Sequence, residues 1–174
     1  MKPLLALLAL PAAVILALQF WRFSDMRMAD WTWQRVLELA PERPERFDPA
    51  YVEALPEPAR RYFLFTIRPG AGLAAVAEIT MSGALSLGTK NAPNYQPMQA
   101  DQILAPPHGL VWKLRAGQRL MRVSGSDGII GAHSWVHFWL MGLIPFVRAG
   151  GTMDHARAAF GRVVAEAAIW TPAI

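Results

Sequence analysis

His133 and His137 stand four residues apart, a spacing that on a helix would turn two imidazoles toward one metal ion. A zinc centre needs a third ligand, and neither an H-E-x-x-H pattern nor a nearby carboxylate cluster accompanies them. No metal site is assigned. Ser124-Gly125-Ser126-Asp127-Gly128 sets serine beside glycine, but Ser124 holds the place of the first glycine in a G-x-S-x-G nucleophile elbow, so the stretch reads as a turn. Gly125, Gly128 and Gly131 do not make a G-x-G-x-x-G loop between strand and helix, and no cofactor is expected. Arg60 and Arg61, beside Tyr62, have the chemistry to bind an anionic headgroup or phosphate; they would equally serve as a solvated helix face or pair with Glu57. Arg162 and Glu166 lie at i, i+4 and are expected to be a structural pair. The aromatics Trp112, Trp135, Phe138, Trp139 and Phe146 suit a core. A sheet covered by one helix also leaves an apolar cleft, which Trp112, Trp135, Trp139 and Phe160 would line. No catalytic residue is assigned.

The elements that must position these groups follow from periodicity and punctuation. Asp30 is a good N-cap for a short helix over Trp31–Ala40, stopped by Pro41. Asp48-Pro49 reads as a cap followed by proline at the first helical position, and another helix restarts at Pro58. The period then changes. Ala74–Ser86 reads as a strand with a bulge or bend at Gly83. Met98–Leu104, Leu110–Arg115, Arg119–Ser124 and Ile129–His133 follow as strands with short connectors, which excludes parallel crossovers. Trp135–Val147 is apolar, interrupted by Pro145, and reads as a buried strand, a short helix or a surface-inserting segment. Thr152 caps a last helix, Met153 to Trp170, stopped by Pro172. On it Met153, Ala156, Phe160, Val163, Val164, Ala167 and Trp170 fall at helical spacings on one face. The fold class is α+β: an N-terminal helix, then a curved antiparallel sheet packed by the C-terminal helix.

Pro3–Trp21 holds a single polar side chain, Gln19. At about 1.5 Å per residue such a run spans roughly 28 Å, near the thickness of a bilayer core. Bulky Leu18-Gln19-Phe20-Trp21 takes the place of a small-x-small cleavage site, which favours an uncleaved anchor over a cleaved signal. Trp21 and Arg22 suit the interface. The chain thus divides into residues 1–22, a transmembrane or signal-anchor helix; 23–54, a helical neck and linker; and 55–174, an α+β domain. It has 174 residues, no cysteine and a net charge of +4. Without cysteine there are no disulfides or thiolate metal sites. The basic residues are scattered, which disfavours nucleic acid as a partner.

The run Leu55-Pro56-Glu57-Pro58-Ala59-Arg60-Arg61-Tyr62 is followed by Pro69-Gly70 and Met81-x-Gly83. Then come Ala100-x-Gln102, Gly109-Leu110-Val111-Trp112, Gly125-x-Asp127-Gly128, Gly131, Gly142-Leu143-x-Pro145 and Arg162-x-x-x-Glu166-x-x-x-Trp170-x-Pro172. In that order and spacing these motifs resemble an uncharacterised bacterial domain-of-unknown-function family, from Leu55 to the C-terminus. The resemblance carries no activity and no catalytic residue. It implies an apolar N-terminal segment. It also implies a further strand-rich region after the Trp-x-Pro step, which this chain lacks.

These observations favour a single-pass protein of the bacterial cell membrane, its domain on the extracytoplasmic side. They favour a non-enzymatic role, binding a lipid or other apolar ligand between sheet and helix. Two alternatives stand beside it. One is a structural or interaction module that uses the sheet edge and Trp135–Phe146 to hold another envelope protein. The other is a hydrolase of unknown substrate using His133, Asp127 or Glu166.

Overall fold

The computed structural model describes residues 2–171, and their side chains from residue 9 onward. Helix α1, Lys2–Leu37, leads into a 3₁₀ turn at Pro49–Val52 and helix α2, Glu57–Thr66. Six strands follow: β1 Ala77–Ser86, β2 Tyr95–Ala105, β3 Gly109–Ala116, β4 Val123–Ile130, β5 His133–Leu140 and β6 Ile144–Gly150. Helix α3, Met153–Trp170, closes the described chain. The sheet is an antiparallel meander in sequence order, β1 to β6. This is the α+β class expected.

Neighbouring residues of a strand point to opposite faces, and that alternation assigns the helices. Ile103, Ala105, Val111 and Trp135 pack with Ala29 and Val36 of α1. Leu104, Leu110 and Ile129 pack with Val163, Ala156 and Ala159 of α3. The two helices therefore cover opposite faces, where a single covering helix was expected. On the α3 side, Ala100, Leu114, Ala116, Val123 and Phe138 form a second buried cluster, ringed by half-buried Met81, Leu85, Met98, Val136 and Leu140. Among the described residues this cluster includes none from a helix.

Helix α1 runs unbroken through the boundaries expected at residue 22 and at Asp30. Asp30 is mid-helix and not a cap; its carboxylate accepts from Lys113 Nζ at 2.6 Å. Asp25, Ala29, Thr32 and Val36 are buried at spacings of four, three and four, a single stripe laid on the sheet. Within the stretch expected as a helical neck, Ala29 and Val36 thus pack on the sheet. Before them, residues 9–17 are exposed on every side, and Leu10, Val14, Ile15, Leu16 and Phe20 are all at least 47% exposed. Among the described residues no helix is long and apolar enough to cross a membrane.

Several local expectations hold. Asp48 accepts from the Ala50 amide at 2.9 Å, and Thr152 from the His155 amide at 3.2 Å, each satisfying a free first-turn donor. Other expectations shift. β1 pairs with β2 without a slip at Gly83, and a register shift falls instead between Phe138 and Trp139. Arg119–Met121 is a 3₁₀ turn ahead of β4. Ile129 and Ile130 end β4, His133 begins β5, and Trp135–Val147 is β5, a turn and β6. Pro172 lies outside the described residues. Residues 38–73 wrap a small separate core of Phe47, Val52, Ile67 and Leu73.

Candidate functional site

Strand register builds two polar rows, one on each face. On the α3 face Gln102, Trp112 and Asp127 stand side by side on β2, β3 and β4. Arg162 of α3 settles over them. Its guanidinium carbon lies 5.5 Å from the Trp112 ring centre. Its Nη1 donates to both Asp127 oxygens at 3.1 Å, and its Nη2 to Gln102 Oε1 at 2.9 Å. Its Nε donates to Glu166 Oε1 at 2.7 Å, and the Gln102 amide donates to Glu166 Oε2. One cation thus joins a helix to three strands with every side of its fork engaged. Burial pushes the Asp127 carboxyl above the usual carboxylate value, against the pull of Arg162; Glu166 adds to the rise. The Arg162–Glu166 pair was expected, and the structure extends it into a clamp for α3.

Beside the clamp, His155 Nδ1 meets Ser134 Oγ at 2.7 Å. Ser134 is only 1% exposed, so this contact fastens the first turn of α3 to β5 and presents no hydroxyl to a substrate. His133 points to the α1 face, where it stacks on Trp135. That parts it from Asp127 and Glu166, its companions in the hydrolase reading. His133 and His137 lie on a strand and not a helix, about 13 Å apart along it, too far to share an ion.

On the α1 face a second row crosses five strands: Asp101, Lys113, Ser126, His137 and Arg148. Asp25 of α1 descends onto it. Arg148 donates to both Asp25 oxygens at 2.7 and 3.0 Å, and Trp139 Nε1 to Oδ2 at 2.9 Å. His137 Nδ1 lies 3.2 Å from Asp25 Oδ1, but out of line for a hydrogen bond; it is buried and unpartnered. Burial pushes the Asp25 carboxyl up, yet the donors Arg148 and Trp139 and the charges of His137 and Arg148 outweigh it, and the pKa falls below the usual value. For His137, burial lowers the imidazole pKa, and the nearby charges of Arg148 and His133 add to this against Asp25. Trp21 stands edge-on to Trp139 at 5.6 Å, with the Arg148 guanidinium 4.3 Å from its ring centre.

Between α1 and the sheet run two adjoining cavities. One of about 280 Å³ is lined by Asp25, Ala29, Ser126, His137 and Trp139. The second, of about 730 Å³, opens at the sheet end where α1 projects, and Arg22, Arg115 and Arg122 line it.

The four aromatics expected around a single cleft are divided. Trp112 is on the α3 side; Trp135 and Trp139 are buried on the α1 side. Phe160 is 45% exposed on the outer side of α3. Arg60 and Arg61 are exposed on α2, and Arg61 pairs with Glu57 at 3.4 Å. Sequence reading missed Asp25, Arg148 and the arginine-lined cavity. One signal was present: Asp25 is the first acidic residue of the chain, set just beyond the apolar run.

The fold and these two rows define a small α+β domain held by polar clamps between one sheet and two helices. A family model described as "Family of unknown function (DUF6544)" matches residues 45–174, and the chain belongs to that family. No curated protein and no solved structure matches the chain.

Proposed function

We propose that this is a membrane-anchored envelope protein that presents a lipid-binding domain at the bilayer surface, on the extracytoplasmic side. One observation carries the reading: the exposed, apolar stretch of α1 over residues 9–17 continues without a break into a part clamped onto the sheet. A helical segment that is apolar and exposed all round calls for an apolar surrounding. From Leu10 to Phe20 the arm is about 16 Å long, half the depth of a bilayer core. Trp21 and Arg22 then fall at the level that interfacial aromatics and cations favour. Half-buried Met81, Met98, Val136 and Leu140, which ring the buried Phe138 on the α3 side, would offer their exposed edges to an acyl chain.

The test is fractionation of cells expressing the full chain. The protein is expected in membranes, resistant to high salt and carbonate and released by detergent. Ile15→Asp with Leu16→Asp, both on the exposed arm, is expected to move it to the soluble fraction with its sheet intact. A wild-type chain that fractionates as soluble overturns the reading.

A second reading rests on a different surface. Met153, Phe160, Val164 and Trp170 were expected to face the sheet, but each is at least 45% exposed along α3. That strip suits a partner protein of the envelope. A photo-crosslinker at Phe160 that captures no specific protein in membranes counts against it.

A further inference from the structure

The cavity at the foot of the arm has a charge character that membrane insertion does not require. Arg22 reaches it from α1, Arg115 from β3 and Arg122 from the turn before β4. Arg22 folds over the β5–β6 turn, so close that a Cβ on Gly142 would stand 3.2 Å from its Cζ. Ser82, Gln99, Gln118 and Ser124 add neutral donors, and no carboxylate lines the cavity among the described residues. The two half-buried arginines that clamp the helices are engaged by carboxylates: Arg148 by Asp25, and Arg162 by Asp127 and Glu166. Arg22, Arg115 and Arg122 have no carboxylate within ion-pair distance among the described residues. Three arginines line one concavity, and an anion placed there would be attracted by all three positive charges. The planar donor forks match phosphate oxygens in pairs.

We propose that this cavity is a phosphate-binding site formed by Arg22, Arg115 and Arg122. It lies beside Trp21, so a phospholipid embedded next to the arm would bring its phosphate to it. A free phosphorylated solute carries the same group. The site goes beyond the anchoring proposal, because a soluble ligand can test it without a bilayer.

Calorimetric titration of the full chain in a neutral detergent, with inorganic phosphate and with glycerophosphoglycerol, decides the matter. At least one is expected to bind. The tighter of the two names the source, glycerophosphoglycerol a lipid headgroup and inorganic phosphate a free solute. Arg115→Gln is expected to weaken binding roughly tenfold, the equivalent of one charge-assisted hydrogen-bonded pair, and adding Arg122→Gln to weaken it further. Arg115 and Arg122 are exposed, so both variants are expected to keep the wild-type thermal midpoint. Arg43→Gln with Arg68→Gln removes equal charge from the connector beyond α1 and is expected to leave binding unchanged. The site is overturned if neither ligand binds, if the Arg115 and Arg122 variants bind like wild type, or if the connector variant loses as much.

Discussion

His137 is the side chain whose surroundings leave most to be read out by pH. Its Nδ1 is buried without a hydrogen-bond partner, against Asp25 from α1, Arg148 from β6 and His133 from its own strand. Burial and the cations hold its folded pKa below the ordinary 6.5. A histidine depressed on folding is protonated more readily when unfolded. Its contribution to stability is therefore complete above pH 6.5 and is lost as pH falls through the folded value. Asp25 stays ionised in this window, since its pKa lies below the usual 3.8. Asp127, with its pKa raised, acts in the opposite direction and gains stability on acidification. Comparison with His137→Gln isolates the histidine. Between pH 7.5 and 5.5 the thermal midpoint of the wild type is expected to fall more steeply than that of the variant. Parallel falls would assign the dependence elsewhere.

At the scale of elements, close packing of β4 on its neighbours sets the limits. A Cβ on Gly125 would stand 2.0 Å from the His137 carbonyl oxygen and 2.7 Å from the Phe138 Cα, both backbone atoms that cannot turn aside. Gly125→Ala is expected to cost more than about 3 kcal/mol. Gly83, with nothing within 4 Å of its added Cβ and no positive φ, is expected to accept alanine within about 0.5 kcal/mol. Urea denaturation of both variants checks the contrast. Equal losses would show that the glycines of this sheet are alike. Strands β1 to β3 and α3 were legible in the sequence, because alternation, turn residues and a Thr cap are local signals. β4 was not, since Ser124–Gly128 reads as a turn yet lies inside that strand, and β5 and β6 occupy a stretch whose apolar run hid the turn between them. Nor was the docking of α3. Large apolar side chains at helical spacing pointed to Phe160 and Trp170, whereas small Ala156 and Ala159 let the helix close on the sheet and Arg162 fixes it there. The paired Arg162 and Glu166 could be read from spacing; Gln102 and Asp127 join them only through strand register. For α1, hydropathy hid the stripe Asp25-Ala29-Thr32-Val36, since half of it is polar: Thr32 donates to the Met28 carbonyl in its own helix, but the partners of Asp25 come from strands more than a hundred residues later.

Taken whole, the molecule is a sheet clamped on both faces, with an apolar rod leaving at one end. Leu10, Leu16 and Phe20 are each at least 70% exposed on that rod. A contiguous exposed apolar surface of this kind drives association. Without detergent or lipid the full chain is expected to self-associate through the arm. Light scattering on a sizing column should return a monomer protein mass once detergent is added, and for Ile15→Asp with Leu16→Asp without it. A monodisperse wild-type monomer in plain buffer would remove the basis for a buried arm. The unbroken course of α1 has one more consequence. A domain on a flexible linker tumbles at the end of its leash and shows every side to the bilayer in turn. Here the same backbone hydrogen bonds run from the arm into the stripe under Asp25, leaving no swivel between them. With the arm in a membrane, the tilt of that rod fixes the bearing of the sheet, so the turns at Arg119–Arg122 and Met141–Leu143 keep the side toward the lipid and the β4–β5 turn keeps the side away.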